Sequence, residues 1–252
     1  MTMRAAQVVL PFVAGALFSG CFDTRGSTWM ARPLPGTESE GPTLVEMPPP
    51  ETAAPRASSS ASSSPKGKLL GTFRNTYYNF PRDADASGAM APLMSGTCEK
   101  IADVSRAFHD AVCVQGSGML RTGGTVSFAR RDCECAEVCP RTGQKICFEA
   151  LNPKQFPWGR GAAGTPISPL HTLAVDTNLI PLGTHLYIRE MDGLNINGKR
   201  HDGCFVAEDR GLRVQGQHVD IFTGDVSMTE KLNQMLPSNQ GVTVYADVER
   251  CQ

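Results

Sequence analysis

The chain of 252 residues has few aromatic residues, almost no net charge and no hydrophobic run of membrane-spanning length. Its formal net charge is −1, and it carries no basic block or aromatic–basic alternation, so the electrostatic signature of a nucleic-acid-binding protein is missing. The apolar run from Ala5 to Phe18 is too short to span a bilayer comfortably. Aromatics make up 7% of the chain, with 25 glycines and 18 prolines, which favours short strands and turns over long helices.

The N-terminus has the pattern of an export signal. A basic start at Arg4 precedes the apolar run, which ends in Leu17-Phe-Ser-Gly-Cys21. Small residues directly before a cysteine resemble a bacterial lipobox, which implies cleavage before Cys21 and a lipid on its thiol. Phe18 departs from the usual small aliphatic residue of that motif, so ordinary signal cleavage stays open. We therefore predict a signal peptide over residues 1–20 and a lipid anchor at Cys21.

Residues 21–67 are rich in Pro, Ser, Ala and Thr. Such a segment cannot bury enough apolar surface to offset its ordering entropy, so we predict a disordered linker. A flexible chain of this length has a root-mean-square reach of roughly 35 to 40 Å. The segment could let an anchored domain search the surrounding layer, or it could be a mere spacer.

The eight remaining cysteines agree with export, because an even number in an exported chain indicates up to four disulfides. They are Cys98, Cys113, Cys133, Cys135, Cys139, Cys147, Cys204 and Cys251. Eight cysteines allow about 105 pairings, so the sequence leaves the connectivity open. The cluster from Cys133 to Cys139 could also bind a metal. However, its C-x-C-x3-C spacing is not a standard zinc pattern and no histidine is adjacent, so we expect bridges and no metal.

Order is expected from residue 68, where an apolar, β-branched run predicts a strand to Tyr78. A disulfide-rich α/β insertion is expected over about 81–165. Apolar residues at helical spacing predict one helix from Glu99 to Val112 inside it, and a hairpin pair follows at 114–120 and 124–128. Beyond His171 the pattern predicts short strands at 185–188, 204–207, 219–222 and 242–248, with one helix around 228–236.

Three aspartates stand in or beside short β-like runs: Asp176, Asp209 and Asp220. A solvated surface carboxylate is less expected in such places, so three of them within 45 residues predict a site. Their spacing and flanking residues resemble the three-aspartate (3D) domain family. That resemblance implies a mainly β fold, a six-stranded double-psi β-barrel over 68–252.

The 3D domain forms the catalytic barrel of the membrane-bound lytic transglycosylase A family. The family's proposed catalytic aspartate lies in a His-aromatic-Asp-Ile-aromatic segment, which His218-Val-Asp-Ile-Phe222 matches except at Val219. The resemblance implies that Asp220 is the acid/base and Asp209 its close partner. The stretch Asp209–Gly216 keeps the family spacing, with Leu212 in place of a glycine.

Further residues match at other positions. Thr76 in the first strand resembles the threonine that expansin-like relatives keep beside the aspartate pair. Gln115, in Val114-Gln-Gly-Ser-Gly118, matches the family's segment across its substrate groove and could contact sugar hydroxyls. Asp176 is a candidate for substrate binding, although a carboxylate before a Pro-Leu-Gly turn often caps backbone amides.

Non-catalytic roles for Asp209 and Asp220 also stay open. Asp209 could form an ion pair with Arg210 or lie in a turn before a glycine. Asp220 could be an edge-strand residue that faces water. The sequence alone does not separate these from catalytic roles.

The function implied by the resemblance is cleavage of peptidoglycan glycan strands to 1,6-anhydromuramic products. One aspartate suffices for that reaction, because an intramolecular hydroxyl has a large effective concentration. That aspartate needs a raised pKa to hold a proton, which burial or a neighbouring carboxylate supplies. We expect a monomer without a cofactor in the bacterial envelope, in the periplasm with an outer-membrane anchor. The alternatives are an expansin-like binder that loosens the wall without catalysis, a structural lipoprotein, and ordinary hydrolysis.

Overall fold

The computed structural model describes residues 65–84 and 88–252. The predicted signal peptide, the lipidation site Cys21 and nearly all of the predicted linker 21–67 lie outside these residues. The described elements, in chain order, are β1 (Lys68–Tyr78), β2 (Met90–Met94), β3 (Lys100–Ser105), α1 (Arg106–Gln115), β4 (Ser117–Met119), β5 (Thr125–Arg130), β6 (Cys147–Leu151), β7 (Thr172–Val175), β8 (His185–Ile188), β9 (Asn195–Ile196), β10 (Lys199–Arg200), β11 (Cys204–Asp209), β12 (His218–Phe222), α2 (Val226–Met235) and β13 (Val242–Ala246). None of the helices described has the length and apolar content needed to cross a membrane.

Six strands form a closed barrel in the order β1-β12-β7-β11-β8-β13. Strands β1 and β12 run parallel, as do β7 and β11, and the other four pairs are antiparallel. Alternate side chains fill the interior, where Leu173, Leu186, Phe205, Ile221 and Val244 are fully buried. Because closure pairs every strand on both sides, the barrel has no free edge. The prediction of a mainly β, six-stranded barrel is confirmed.

The segment between β1 and β7 builds a second, smaller core beside the barrel. It consists of the hairpin β2–β3, helix α1 and the sheet β4-β5-β6, packed around Val104, Phe108, Val126 and Phe148. Three disulfides link its helix, its last strand and its loops: Cys98–Cys135, Cys113–Cys139 and Cys133–Cys147. Each closes a loop of 14 to 37 residues, for which the chain-entropy account gives about 3 to 4 kcal/mol of stabilisation.

A fourth disulfide, Cys204–Cys251, belongs to the barrel. It joins the start of β11 to a short 3₁₀ turn at Glu249–Cys251, which follows the last barrel strand. The bridge therefore fixes the C-terminal turn against the barrel wall.

The helix predicted from Glu99 to Val112 is wrong over its first half. Residues 100–105 form strand β3, which pairs with β2, and the helix begins only at Arg106. Ser105 sets this boundary, because its hydroxyl accepts a hydrogen bond from the backbone N–H of Phe108 and caps the first turn. Gly116, with φ of 82°, ends the helix in the left-handed conformation that glycine favours.

The predicted strands and helix beyond His171 agree with the structure to within two residues. The hairpin pair appears as β4 and β5, but its first strand begins only at Ser117, because residues 114 and 115 belong to the end of helix α1. Helix α2 begins two residues earlier than expected, and β13 ends at Ala246.

Candidate active site

A groove of about 520 Å³ lies between the barrel and the smaller core. The ends of β1, β11 and β12 and the loop 210–214 form its barrel wall. Residues 113–117 and 128–146 supply the opposite wall. The groove contains four of the five residues predicted for catalysis and substrate binding: Thr76, Gln115, Asp209 and Asp220.

Strand pairing brings Thr76 and Asp220 together. In the parallel register of β1 and β12, Thr76 lies directly opposite Asp220. The Thr76 hydroxyl donates a hydrogen bond of 2.6 Å to the Asp220 carboxylate. Two residues 144 positions apart in the chain thus form a direct contact because their strands are neighbours in the barrel.

The partly buried Asp220 is poised to exchange a proton. Burial raises its pKa from 3.8 to about 6, and the negative charge of Asp209 adds to this rise. The hydrogen bond from Thr76 and the positive charge of Arg74 act in the opposite direction, since both favour the carboxylate. A carboxyl group with this pKa holds its proton in mildly acidic solution, which suits a general acid.

Asp209 is held by three donors. Its Oδ2 accepts from the Tyr78 hydroxyl at 3.1 Å, and its Oδ1 accepts from the backbone N–H groups of Ala162 and Arg210. Burial raises the pKa of Asp209, while these donors oppose the rise. Burial and the nearby aspartates raise the pKa of Tyr78 far above its usual value, so its hydroxyl stays protonated and donates.

The two aspartates do not lie on adjacent strands. Strand β7 separates them, with Ala174 paired to Asp209 on one side and to Asp220 on the other. A bulge between Ala207 and Asp209 shifts the register of β11 beside the site. Two strand spacings put the backbones about 10 Å apart. The small side chain of Ala174 therefore leaves open space in the groove between the two carboxylates.

His218 extends the contacts of Asp220, a role that the sequence motif alone does not indicate. Its Nε2 lies 2.8 Å from the Thr76 hydroxyl oxygen, and its Nδ1 lies 3.0 Å from an Arg74 guanidinium nitrogen. With the Thr76 hydrogen donated to Asp220, the Nε2–H tautomer of His218 donates to Thr76, and Nδ1 accepts from Arg74. Nδ1 also lies 3.2 Å from the backbone carbonyl oxygen of Arg213, to which it donates only when it carries a proton. Burial and the charge of Arg74 lower the pKa of His218, which keeps the ring neutral.

The strand period could have revealed these partners. His218 and Asp220 are two residues apart on β12, and Arg74, Thr76 and Tyr78 follow the same spacing on β1. Residues two apart in a strand share one face. A face-by-face reading of the two motifs would therefore have placed Arg74, Tyr78 and His218 in the site.

Gln115 faces the groove from the end of helix α1. Its side-chain carbonyl accepts a hydrogen bond of 2.9 Å from the backbone N–H of Asn79, just past β1. This contact ties the smaller core to the barrel. The amide nitrogen is then the group that Gln115 can offer to a ligand.

Asp176 lies outside the groove lining. Its carboxylate accepts from the backbone N–H of Asn178 at 3.0 Å and from that of Gly216 at 2.7 Å. These two backbone donors lower its pKa. The observed contacts are those of the turn-capping alternative, and they fix the loop that leads into β12.

The sulfur atoms of Cys98, Cys133 and Cys135 lie within 4.8 Å of one another, as in some metal sites. All three belong to disulfides. No thiolate is then available, and the disulfide state does not suit a metal.

Comparisons with known proteins agree with the barrel and with the motif stretch. Residues 171–234 match the family model described as the 3D domain. Membrane-bound lytic murein transglycosylase A of Escherichia coli K12 is 34% identical over 93 residues, which cover 35% of this chain and 25% of that protein. The sequence match thus spans a quarter of the length of the curated relative.

One solved structure shares the fold over most of the described residues. The crystal structure of E. coli MltA with bound chitohexaose aligns with a TM-score of 0.51 at 18% identity, covering 70% of this chain and 71% of that one. A membrane-bound lytic murein transglycosylase from Agrobacterium tumefaciens aligns over 70% of this chain and 73% of its own, with 15% identity and a TM-score of 0.49. Residues 171–234 thus resemble the 3D domain, and the fold resembles that of MltA.

Proposed function

We propose that this 3D-domain protein is a lytic transglycosylase that cleaves peptidoglycan glycan strands, with Asp220 as the acid/base. The observation that carries the proposal is a partly buried carboxyl group with a pKa of about 6, located in a groove between two packed cores. The 3D match over residues 171–234 and the similarity to lytic murein transglycosylase A support the same reaction class.

In the proposed reaction, protonated Asp220 donates its proton to the glycosidic oxygen as the C–O bond breaks. The anomeric centre gains oxocarbenium character, and the muramic 6-hydroxyl of the same sugar attacks it. Asp220, now a carboxylate, accepts the hydroxyl proton, so the group returns to its starting state. The products are a 1,6-anhydromuramic end and a free 4-hydroxyl, and no water is consumed.

Asp209 supports this cycle as a fixed negative charge. Its three donors hold it in place across Ala174 from Asp220. Its charge helps raise the pKa of Asp220, and it would favour a positive centre that develops between the two strands. Thr76 stabilises the carboxylate that forms after proton donation, and Gln115 offers an amide donor to sugar oxygens.

The N-terminal pattern also supports a proposal about the location of the protein. We propose that Cys21 is lipidated and that the linker 21–67 separates the anchor from the barrel in the periplasm. The lipobox-like residues before Cys21 support this, and so does the membrane-bound description of the relatives. Labelling with a palmitate analogue, followed by gel analysis of the labelled protein, tests the lipidation of Cys21. The control variant Cys21→Ala must lose the label.

The activity is tested by incubating the full chain with purified sacculi and analysing the released muropeptides by mass spectrometry. The wild-type protein is compared with Asp220→Asn, and with Asp103→Asn as a matched control on the exposed hairpin. We expect anhydromuramic products from the wild type and the control only. Cleavage that persists in Asp220→Asn would reject this assignment, and sacculus binding without any product would point to the expansin-like alternative.

A further inference from the structure

The groove is lined by six arginines and only two aspartates. They are Arg74, Arg131, Arg141, Arg160, Arg210 and Arg213, facing Asp209 and Asp220. Lysine and glutamate are absent from the described residues that line it. The whole chain has a net charge of −1, so this concentration of positive charge is local. Like charges gathered in one concave surface repel one another unless an anion balances them.

Three of these arginines form what we call the arginine rim: Arg131, Arg141 and Arg213. Arg131 lies 4.9 Å above the ring of Phe128 and donates to the side chain of Gln144, which is neutral. Arg213 donates to the backbone carbonyl of Arg141 at 3.0 Å, a contact that joins the barrel loop to the smaller core.

No carboxylate among the residues that the structure describes lies within ion-pair distance of the arginine rim, so its positive charge is not neutralised within the protein. Of the six groove arginines, only Arg160 has a carboxylate within ion-pair distance in the described part of the chain, namely Glu149. Arg74 donates to the neutral ring of His218, and Arg210 lies next to Asp209 in the chain. The rim is thus a set of cations without internal counter-charges, beside the reacting carboxyl group.

From this arrangement we infer that the groove selects glycan strands that carry carboxylates, which the arginine rim binds. This inference rests on the proposed function and specifies its substrate. Guanidinium groups match carboxylates in a two-point geometry, whereas the hydroxyls and acetamides of a neutral glycan offer no counter-charge. In peptidoglycan such carboxylates come from the lactyl group of muramic acid, when free, or from the stem peptide.

The inference is tested by binding, separately from catalysis. The full chain carrying Asp220→Asn, which keeps the groove and stops cleavage, is titrated calorimetrically with three glycans of equal length. These are a chito-oligosaccharide, a muramic-acid glycan with free lactyl groups, and the same glycan with stem peptides. We expect at least one carboxylate-bearing glycan to bind about tenfold tighter than the neutral one. If both carboxylate-bearing glycans bind tighter than the neutral one, the lactyl carboxylate suffices. If only the peptide-bearing glycan binds tighter, the stem peptide supplies the anion.

Salt and substitution give two further readouts. Raising ionic strength from about 0.01 M to about 0.15 M shortens the Debye length from about 30 Å to about 8 Å, so the preference for the anionic glycan should shrink. Arg131→Gln combined with Arg141→Gln should weaken anionic binding about fivefold and leave neutral binding unchanged. Arg131→Lys combined with Arg141→Lys should retain part of the preference for the anionic glycan. Arg200→Gln, at an exposed residue outside the groove, should change neither affinity.

The outcomes distinguish a failure of carboxylate selection from a failure of the proposed function. Equal, salt-insensitive affinities for neutral and anionic glycans would overturn the selection of carboxylates and leave the proposed function standing. If none of the three glycans binds, the proposed function fails and this inference fails with it. Because the glycan and salt comparisons use an intact arginine rim, they decide the matter even if a rim variant does not fold.

Discussion

Replacing Asp220 by asparagine should make the folded protein more stable at neutral pH while abolishing its activity. The folded state raises the pKa of this carboxyl group from 3.8 to about 6, mainly through burial. The folded protein therefore holds a proton that the unfolded chain releases between about pH 4 and 6. The contribution of Asp220 to the unfolding free energy of the wild type therefore falls as the pH rises from about 4 to about 6.

The size of the effect follows from the pKa change. A rise from 3.8 to about 6 corresponds to about 3 kcal/mol at pH 7, and partial exposure of Asp220 reduces the expectation to about 2 kcal/mol. Asparagine has nearly the same shape and removes the buried charge. Its carbonyl oxygen can still accept from Thr76, so no buried donor is left without a partner.

The assay is denaturant unfolding with disulfides intact, at pH 4 and pH 7, for the wild type, Asp220→Asn and the control Asp103→Asn. Asp220→Asn should exceed the wild type by about 2 kcal/mol at pH 7 and match it at pH 4. The control should follow the wild type at both. Equal or lower stability of Asp220→Asn at pH 7 would refute the view that Asp220 is held in an unfavourable, functional environment.

Three other substitutions test the site and its supports. Asp209→Asn removes a negative neighbour, so the pKa of Asp220 should fall, and the loss of activity at rising pH should begin about half to one pH unit lower. Thr76→Val removes a donor to the Asp220 carboxylate, so the pKa of Asp220 should rise. The loss of activity at rising pH should then begin about one pH unit higher, as pH profiles of kcat/KM would show. Gly159→Ala would place a Cβ 2.3 Å from a serine hydroxyl of β4 at a φ of 97°, and should lower the unfolding free energy by about 2 to 4 kcal/mol. Gly143→Ala, with a similar φ but open space, is its control and should cost about 1 kcal/mol.

The barrel and the carboxylate pair could be predicted because their signals are local. The motif from His218 to Phe222 and the stretch from Asp209 to Gly216 carry the family resemblance within single short segments. The distance between Asp209 and Asp220 could not be predicted, because it depends on which strand lies between β11 and β12. Strand β7 places Ala174 there, and no property of the motifs specifies it.

The error at residues 99–105 has a physical cause. Ile101 and Val104 fit a helical repeat, but a pairing partner, β2, ends six positions before β3 begins and competes for the segment. Secondary structure in such a short stretch is decided by tertiary pairing, which the period of the sequence does not contain. The cap at Ser105 was the local signal for the true start of the helix.

The wall opposite the barrel was the least predictable part of the site. The cysteine count indicated bridges, but the pairing of Cys113 with Cys139 depends on the folded core. That bridge fixes the end of helix α1 near Gln115 and the loop that carries Arg141. Arg131 and Arg141 belong to the smaller core and Arg213 to a barrel loop, so the three line one groove only when the two cores pack together.

The most direct test of the central claim is the oxygen content of the cleavage products. Sacculi are digested by the full chain in ¹⁸O-labelled water, and the new glycan ends are analysed by mass spectrometry. Attack by the muramic 6-hydroxyl predicts anhydro ends without label, formed by the wild type and absent from Asp220→Asn. Labelled reducing ends would show that water is the nucleophile and would contradict the account.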